Sequence, residues 1–537
     1  RLSGIPPPNL YRSKVTAPDK AAHDFFGHSV SQSGNILAVG AYGAHPDGVY
    51  DAGAAYFYQL ESNGSTTYLS KVTAPDKAAS DYFGWSVSQS GDILAVGAYM
   101  SDPDGVSDAG AAYLYRLEAN GSATYLTKVT APDKGVGDRF GISVSQSGNI
   151  LAVGAYKSTT GGLSAGAAYL YQLEANGSTT FLCKVTAPDK AHDDSFGYSV
   201  SQSGNILAVG AYKTDLNGLT DAGAAFLYEL ESNGSATLLT KVTAPDNSSS
   251  DRFGYSVSQS GNILAVGAYM SDPDGVTEAG SAYLYELEAN GSVSFLSKLT
   301  APDKNLEDWF GNHVSLSGNI LAVGAYVSDS AGLSSSGAAY LFKLESNGTS
   351  TYLTKLTAPD KEVGDFFGDS ISLSGNILTV GKRKADEDNM YDAGAAYTFD
   401  LSGYINHAPQ NLLASGRVVS SEKAQFLDSL KNHWLKASEK IVSDEFGWGA
   451  DPADSFVVVV DDDGVVGNSF AYTQSSWNVP GYKSQASKLF FDLDNLNGPH
   501  LVGSSLSDVY VLKHLTEVLL AQNTYAGDLA GGDPSRD

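Results

Sequence analysis

The chain has 537 residues, of which 33 are Lys or Arg and 60 are Asp or Glu, so its formal net charge is −27 at pH 7. This charge opposes binding to nucleic acid or to an anionic membrane and favours cations or basic surfaces as partners. The length allows two or three domains with full hydrophobic cores. The sequence has no run of about 18 apolar residues, so we expect no membrane span.

The chain has one cysteine, Cys183, which excludes a disulfide framework within a single chain. A lack of disulfides is typical of cytosolic proteins, but secreted repeat proteins also fold without them. Residues 1–9 form a Pro-rich lead-in with no apolar signal core. If the protein is secreted or displayed at the cell surface, we expect that its signal peptide was removed before residue 1.

A stretch that runs from Asp81 to Asp133 occurs seven times along the chain with small changes. Its Phe-Gly pair recurs at spacings of 57, 57, 56, 57, 57 and 57 residues. The phenylalanines are Phe26, Phe83, Phe140, Phe196, Phe253, Phe310 and Phe367. A fixed period of this kind indicates a propeller, a solenoid or another repeat array.

Each copy contains four short runs rich in Val, Ala, Leu, Tyr and Thr, separated by Gly, Asn, Asp and Pro. Such runs predict strands. In the second copy the last two runs are joined through Glu118 to Ser122, and the Asn-Gly pair in this segment is a strong hairpin signal. Each copy is therefore predicted to form a small antiparallel sheet of four strands.

The repeat region begins and ends out of phase with these sheets. The last copy stops after its third run, Ala393 to Leu401, and the missing fourth run precedes the first copy, at Leu10 to Asp19. One sheet would therefore contain both ends of the region, which closes a ring and disfavours an open solenoid. We predict a mainly β fold, a seven-bladed β-propeller over residues 10–403 whose ring is closed by the N-terminal strand.

The segment from Phe83 to Tyr99, FGWSVSQSGDILAVGAY, has a Phe-Gly pair followed about a dozen residues later by Val-Gly-Ala. This pattern resembles the FG-GAP repeat of integrin α-subunit propellers and of many secreted proteins. The resemblance covers Leu10 to Leu401. It implies a secreted or cell-surface binding protein with a protein or glycan partner.

Several residues recur in every copy and are expected to serve the blades. Phe26 and its equivalents are predicted core aromatics, and Gly27 and its equivalents are predicted to allow tight turns or close strand approach. Two aspartates also recur, one two positions before each Phe-Gly pair, as Asp24, and one closing each Ala-Pro-Asp tripeptide, as Asp76. We expect both to cap turns.

Acidic residues cluster between the second and third strands of five copies. Carboxylates that alternate around a glycine turn can converge on a hard cation such as calcium, and the pattern resembles the later part of the calcium loops of integrin-type repeats. The predicted ligands are Asp47, Asp51, Asp102, Asp104, Asp108, Asp215, Asn217, Asp221, Asp272, Asp274, Glu278, Asp386, Asp388 and Asp392.

Plain Asp-Gly turns are the alternative to these calcium loops. Met100, Met270 and Lys213 occupy the position of the first ligand of a calcium loop. The third and sixth copies, at Ser158–Gly162 and Asp329–Gly332, lack the full acidic set. Both interpretations therefore remain open on the sequence, with calcium expected at two to five loops.

Asparagines in glycosylation sequons recur on the predicted hairpins. They are expected to carry sugar if the source organism glycosylates its proteins, and the Asn-Gly turn alone also explains six of them. The acceptors are Asn63, Asn120, Asn176, Asn233, Asn247, Asn290 and Asn347.

The repeat ends at Gly403, and we predict a linker over residues 404–416, an α+β domain over 417–525 and a flexible tail over 526–537. The periodicity predicts a helix over about residues 421–441 and another over about 506–522. Three strands are predicted between them, at Phe456–Val460, Val465–Thr473 and Lys488–Leu493.

This order of elements resembles the N-terminal half of zinc metallopeptidases of the leishmanolysin-like and metzincin kind. The helix that carries His-Glu-x-x-His in that family has the sequence His514-Leu-Thr-Glu517-Val here, with Leu515 and Val518 in place of the general base and the second histidine. Zinc needs three protein ligands and the hydrolytic water needs a base. The resemblance therefore implies a degenerate domain without zinc or catalytic residues, in which His514 and Glu517 are a remnant or a simple surface pair.

These patterns predict a non-enzymatic extracellular structural or adhesive binding protein, stiffened by calcium. Near-identical blades offer repeated surfaces to a protein or glycan ligand, or for self-assembly into oligomers or filaments. The alternative is a secreted zinc metallopeptidase-family protein whose propeller is a targeting module, and a cytosolic scaffold is a third hypothesis.

Overall fold

A computed structural model describes residues 10–402 except 160–161, 289, 331 and 346, and the backbone of three strands beyond residue 455. The chain divides into two compact units, Arg1–Ile405 and Asn406–Asp537. The first unit contains seven antiparallel sheets of four strands each. The predicted mainly β fold and seven-bladed β-propeller are therefore confirmed.

Blades 1 to 6 are built from consecutive strands, each paired with the next. Blade 1 contains β2 (Ser29–Ser33), β3 (Ile36–Ala41), β4 (Ala54–Leu60) and β5 (Thr66–Val72). Blade 2 contains β6 (Ser86–Ser90), β7 (Ile93–Ala98), β8 (Ala111–Leu117) and β9 (Ala123–Val129). Blade 3 contains β10 (Phe140–Ser147), β11 (Ile150–Ala155), β12 (Ala167–Leu173) and β13 (Thr179–Val185).

The next three blades repeat this order. Blade 4 contains β14 (Phe196–Ser203), β15 (Ile206–Ala211), β16 (Ala224–Leu230) and β17 (Ala236–Val242). Blade 5 contains β18 (Ser256–Ser260), β19 (Ile263–Ala268), β20 (Ser281–Leu287) and β21 (Val293–Leu299). Blade 6 contains β22 (Val314–Ser317), β23 (Ile320–Ala325), β24 (Ala338–Leu344) and β25 (Ser350–Leu356).

Blade 7 joins the two ends of the propeller, as the sequence predicts. It contains β26 (Phe367–Ser374), β27 (Ile377–Lys382) and β28 (Ala395–Asp400), and its outer strand is β1 (Tyr11–Val15). β1 runs antiparallel to β28, with Lys14 opposite Tyr397 and Val15 opposite Ala396. The ring is thus closed by main-chain hydrogen bonds between strands that are almost 400 residues apart in the sequence.

The first strand of each blade lies innermost, and the seven first strands are tied to one another in a complete circle. In each blade a serine Oγ accepts the main-chain N–H of a residue on the next first strand, as Ser31 does from Gln89 at 2.9 Å. The other six pairs are Ser88 with Gln146, Ser145 with Gln202, Ser201 with Gln259, Ser258 with Leu316, Ser315 with Leu373, and Ser372 with Gln32. This circle defines the propeller axis.

The hydrophobic core lies between the blades. The seven repeated phenylalanines have no exposed surface, which confirms them as core aromatics. Phe83, for example, packs in one cluster with Tyr113 of its own blade and with Phe57 and Val72 of blade 1. Burying an aromatic side chain of this size contributes about 1.5 to 3 kcal/mol, so these seven rings are a large part of the interblade stability.

Gly27 shows why a glycine follows each of these phenylalanines. Its φ is +89°, and a Cβ there would lie 2.2 Å from the carbonyl oxygen of Ala395 on β28. Neither condition is compatible with a larger residue. The predicted close approach of strands at Gly27 is therefore confirmed.

In the second unit, the structure describes a three-stranded sheet of β29 (Phe456–Asp461), β30 (Ala471–Gln474) and β31 (Ser487–Asp492). β31 lies in the middle, parallel to β29 and antiparallel to β30. The two predicted helices lie outside the described residues. Within the described part of the chain, no helix has the length and apolar character needed to cross a membrane.

Candidate functional site

The residue that follows each Phe-Gly pair differs between blades, although its neighbours are repeated. It begins the innermost strand, so the seven side chains surround the axis at one end of the propeller. We call these residues the axial ring: His28, Trp85, Ile142, Tyr198, Tyr255, Asn312 and Asp369. The same end carries the loops between the second and third strands of every blade, and we call it the axial face.

A second circle of side chains surrounds the axial ring. It is formed by the residue after each second strand, Tyr42, Tyr99, Tyr156, Tyr212, Tyr269, Tyr326 and, in blade 7, Arg383. Ring centroids of the two circles are close: Trp85 lies 4.8 Å from Tyr42 and 4.7 Å from Tyr99, and Tyr255 lies 4.4 Å from Tyr269. Together the two circles form an aromatic surface around the axis, which we call the axial funnel.

The funnel is interrupted at one point by a buried charge cluster. Asp369 Oδ2 lies 3.3 Å from His28 Nδ1 and 3.3 Å from Arg383 Nε. The Arg383 guanidinium also lies over the rings of Tyr326 and Phe366, at 5.7 and 5.3 Å from their centroids. An acid and a guanidinium inside an aromatic surface provide hydrogen-bonding groups that can orient a bound ligand.

The ionisation of this cluster follows from burial and from its charges. Burial raises the pKa of Asp369, but Arg383 and His28 outweigh that effect and hold the pKa below its usual value. Burial lowers the pKa of His28 despite the neighbouring Asp369. Burial likewise lowers the pKa of His313, next to the axial ring, to about 4. At neutral pH the cluster therefore holds one anion, one cation and two neutral imidazoles.

Blade 6 departs from the others beside this cluster. In the other blades a serine after the axial-ring residue donates to a glycine carbonyl of the next blade, as Ser29 does to Gly84 at 2.9 Å. His313 occupies that position in blade 6, and the Asn312 amide donates to the Gly368 carbonyl at 3.5 Å instead. The interblade contact is retained while a histidine is placed beside Asp369.

The residue before each Phe-Gly pair forms the rim of the funnel and has a left-handed backbone in all seven blades. Its φ is 56° at Tyr82, 64° at Arg139 and 56° at Trp309. A non-glycine residue in this region costs of order 1 to 3 kcal/mol and persists where its surroundings hold it. In five blades the side chain packs on the preceding blade, as Tyr82 does on Tyr42 at 5.6 Å, whereas Phe25 stacks on Tyr42 of its own blade at 5.0 Å.

The predicted calcium ligands lie in the loops of the axial face, where the structure gives several of them protein partners. Asp104 Oδ2 lies 2.9 Å from the Lys134 ammonium, and this hydrogen bond lowers the pKa of Asp104. The equivalent ion pairs are Asp47 with Lys77, Asp274 with Lys304 and Asp388 with Lys20. Each pair joins one blade to the connection that enters the next.

Differences between the copies follow the same pairing. Copy four has Asn217 in place of the aspartate, and the residue at the lysine position is Asn247. Copies three and six lack the aspartate, and the corresponding Lys190 and Lys361 form no ion pair within the described residues. Copy four thus replaces both partners of the ion pair, whereas copies three and six keep the lysine without the aspartate.

The outer acids of these loops close turns. Asp102 Oδ1 accepts the main-chain N–H of Asp108 at 2.7 Å, and Asp215, Asp272 and Asp386 accept from Asp221, Glu278 and Asp392 in the same way. In the first copy His45 accepts the N–H of Asp51. Over the described ranges, no three His, Cys, Asp or Glu side chains form a group that could hold a metal ion. Calcium binding at these loops stays a prediction.

The two repeated aspartates have different roles. Asp81 Oδ2 accepts the N–H of Ala78 at 2.7 Å, which confirms a turn cap, and burial raises its pKa to about 6. Asp76 lies in a turn, and its side chain has partners beyond that turn. Its carboxylate accepts from the Tyr113 hydroxyl at 2.9 Å and from Lys128 at 2.7 Å, so it ties the blade connection to the outer strands of blade 2.

Six of the seven sequon asparagines lie on the opposite end of the propeller, and Asn247 lies in the connection between blades 4 and 5 on the axial face. Asn63 Oδ1 accepts from both the main-chain N–H and the hydroxyl of Ser65, at 2.9 and 2.7 Å, on an exposed hairpin. Its glycosylation stays a prediction.

His514 and Glu517 of the metallopeptidase-like segment lie outside the described residues.

The axial funnel was not predicted from the sequence, because the prediction rested on the positions that are identical in all copies. Its signal is present in the sequence: a position flanked by invariant Phe-Gly and Ser or His holds His, Trp, Ile, Tyr, Asn or Asp. A position that differs between copies is not required for the structure of the blade. Comparing the copies position by position would have identified the funnel.

The described sheets define a seven-bladed β-propeller. The family model of the FG-GAP repeat matches residues 11–58, 67–115, 124–171, 180–228, 237–285, 293–342 and 351–399. These matches cover more than half of the chain, and the protein belongs to the FG-GAP repeat family. Each match begins in the outer strand of one blade and ends in the third strand of the next. No curated protein matches the sequence.

Proposed function

We propose that this protein is a non-enzymatic, secreted or cell-surface binding protein that holds a protein or glycan ligand in the axial funnel. The observation that carries the proposal is the position of the differences between blades. The funnel gathers aromatic rings and one charge cluster at the axis, where repeated blades alone would give sevenfold identical side chains. Aromatic side chains around a few polar groups are typical of ligand sites.

Self-assembly through equivalent blade surfaces and stiffening by calcium belong to the same proposal. The outer strand of six blades exposes a large apolar residue at one position, including Tyr68, Tyr125 and Phe295 at 43, 42 and 46% exposure. These residues offer equivalent contacts around the circumference. They also provide control positions, because they lie far from the axis.

The test is binding of the full chain to a defined panel of immobilised neutral polysaccharides, acidic polysaccharides and matrix proteins. Trp85→Ile and Tyr255→Ile remove rings from the funnel, and the fold accommodates isoleucine there because Ile142 occupies the same position in blade 3. We expect each variant to weaken binding about tenfold or more. The control is Tyr125→Leu, since Leu238 occupies that position in blade 4.

Equal binding by the funnel variants and the control would contradict the proposal. Thermal unfolding of each variant distinguishes lost contact from lost fold. The metallopeptidase alternative concerns residues outside the described part of the chain, and a casein hydrolysis assay with added zinc tests it separately. Hydrolysis that a chelator abolishes would favour that alternative.

A further inference from the structure

Two adjacent blades of the axial face carry lysines beside the tyrosines of the axial funnel. Lys157 and Lys213 follow the tyrosines of the funnel in blades 3 and 4, and their ammonium groups lie 5.4 and 5.7 Å from the ring centroids of Tyr156 and Tyr212. Neither lysine forms an ion pair with a carboxylate of the described residues. By contrast, Lys184 on the outer strand of blade 3 is paired with Asp133 at 2.8 Å.

Two arginines of the rim flank these lysines. The Arg139 guanidinium lies 5.7 Å from the centroid of Tyr99, and the Arg252 guanidinium lies 5.6 Å from that of Tyr212. Asp108 and Asp221 hold the two arginines in place, at 3.2 and 2.8 Å. We call Arg139, Lys157, Lys213 and Arg252 the cationic arc.

The arc is a local feature and does not follow from the repeat. At the position of Lys157 and Lys213, blades 1, 2, 5 and 6 carry Gly43, Met100, Met270 and Val327. Blade 7 carries Lys384 there, 4.5 Å from the centroid of Phe366, but follows Arg383 instead of a funnel tyrosine. Blade 3 also has Ser164 where blades 2 and 4 carry Asp108 and Asp221, so the acid next to Lys157 is missing. The chain thus places two lysines without a paired carboxylate in adjacent blades of the funnel while its net charge is −27.

We propose that the cationic arc binds a polysaccharide that carries carboxylate or sulfate groups. Each cation of the arc lies over a tyrosine ring, so the surface alternates positive charge with aromatic faces. A charged pyranose matches both, because its apolar C–H face stacks on an aromatic ring while its anionic group pairs with a lysine or arginine. The inference rests on the proposed function and names the ligand class of the same face.

Sugar fits this surface better than an acidic peptide or a nucleic acid. Aspartate and glutamate side chains offer little apolar area to the three rings beside the cations. The high negative charge of the protein opposes long-range attraction of every polyanion, and because the screening length is about 8 Å at physiological salt, short-range contacts at the arc decide which polyanion binds. We therefore expect a ligand in which anionic groups are combined with apolar ring faces.

The experiment measures binding of the full chain to polygalacturonate, dextran sulfate, uncharged dextran and poly-glutamate. The test variant is Lys157→Met with Lys213→Met, because Met100 and Met270 occupy that position in blades 2 and 5. We expect binding to polygalacturonate, dextran sulfate or both, little binding to dextran or poly-glutamate, and weakening of about tenfold for each lysine removed. The two acidic polymers distinguish carboxylate from sulfate recognition.

The matched controls use the same chemistry elsewhere. Arg116→Gln with Lys343→Gln removes two cations from third strands, where Gln59 and Gln172 occupy the same position, and is expected to bind like the parent protein. Met100→Lys with Met270→Lys is expected to bind more tightly. Unchanged binding by the Lys157→Met, Lys213→Met variant, equal binding to poly-glutamate or dextran, or no binding to either acidic polysaccharide would overturn the inference. If another panel ligand binds and Trp85→Ile abolishes that binding, the proposed function stands while this inference fails.

Discussion

Lys14 Nζ lies 2.6 Å from Asp360 Oδ2, although the two residues are 346 positions apart. The contact joins the first strand of the propeller to the connection that enters blade 7. The Tyr397 hydroxyl donates to Asp360 Oδ1 at 2.6 Å, and Lys14 also pairs with Glu387. Burial raises the pKa of Asp360, but Lys14 and Tyr397 outweigh it and hold the pKa at about 2. The ring closure is therefore stabilised by ion pairs as well as by strand pairing.

The ion pairs at the ring closure include a buried lysine that the other blades lack. Lys382 occupies a position that is alanine in the other six blades, and its ammonium group lies 2.7 Å from Asp365. We predict that Asp365→Ala costs about 3 kcal/mol in the free energy of unfolding, because a buried ammonium loses its nearest counter-charge. Asp308→Ala in blade 6, next to Ala325, is the control and should cost about 1 kcal/mol. Urea unfolding measures both, and equal losses would refute the role of Lys382.

Glutamines of the inner strands provide a second prediction. Among the described residues, Gln89 Oε1 is buried and accepts no hydrogen bond, whereas Gln32 Oε1 accepts from the Thr379 hydroxyl at 3.0 Å. Leu316 and Leu373 occupy the same position in blades 6 and 7. We predict that Gln89→Leu stabilises the protein by about 1 kcal/mol, while Gln32→Leu destabilises it by a similar amount because Thr379 loses its acceptor. Opposite shifts of the urea midpoint would support this, and shifts of the same sign would not.

The turn-capping aspartates predict a dependence of stability on pH. Burial raises the pKa of Asp81 to about 6 in the folded state, above its unfolded value near 3.8. The folded protein thus binds a proton more tightly, and this contribution is present below about pH 4 and is lost as pH rises through 6. Asp81→Asn keeps the acceptor oxygen and carries no charge. Relative to the parent, we expect its melting temperature to rise between pH 4 and pH 7.

Asp76 provides the opposite control for that measurement. Burial raises its pKa, but Lys128 and the Tyr113 hydroxyl outweigh burial and hold the pKa below 3.8 in the fold. Its contribution is present above the unfolded pKa and is lost as pH falls through the folded value. Asp76→Asn should therefore be most destabilising near neutral pH and least so in acid. The same pH profile for both variants would contradict these two assignments.

Calcium and ion pairing make different predictions for the loop of Asp104. From the ion pairs of Asp104 with Lys134 and of Asp108 with Arg139 we expect Asp104→Ala with Asp108→Ala to lower the melting temperature slightly, by the same amount in calcium and in chelator, since exposed ion pairs contribute little to stability. A loss confined to calcium would establish the calcium loops that the sequence pattern predicts. Elemental analysis of protein purified without chelator should accompany the melting curves, because it counts calcium and zinc directly.

The number of blades, the order of strands and the ring closure could all be predicted because turn residues and apolar runs recur at a fixed period. The pairing of Asp104 with Lys134, and of Asp76 with Tyr113 and Lys128, could not, since it depends on how a loop of one blade meets the next. The axial funnel depends on convergence at the axis: Trp85 and Asp369 are far apart in sequence and are brought together when the seven inner strands close.

The central claim is that the ligand occupies the axial funnel, and hydroxyl-radical footprinting of the full chain tests it most directly. The measurement compares oxidation of Trp85, Tyr255 and Trp309 with that of Tyr125 and Phe295, in the presence and absence of the tightest-binding ligand of the panel. The account predicts protection of the first three residues and unchanged oxidation of the outer two. Protection of Tyr125 and Phe295 with no change at the funnel would contradict it.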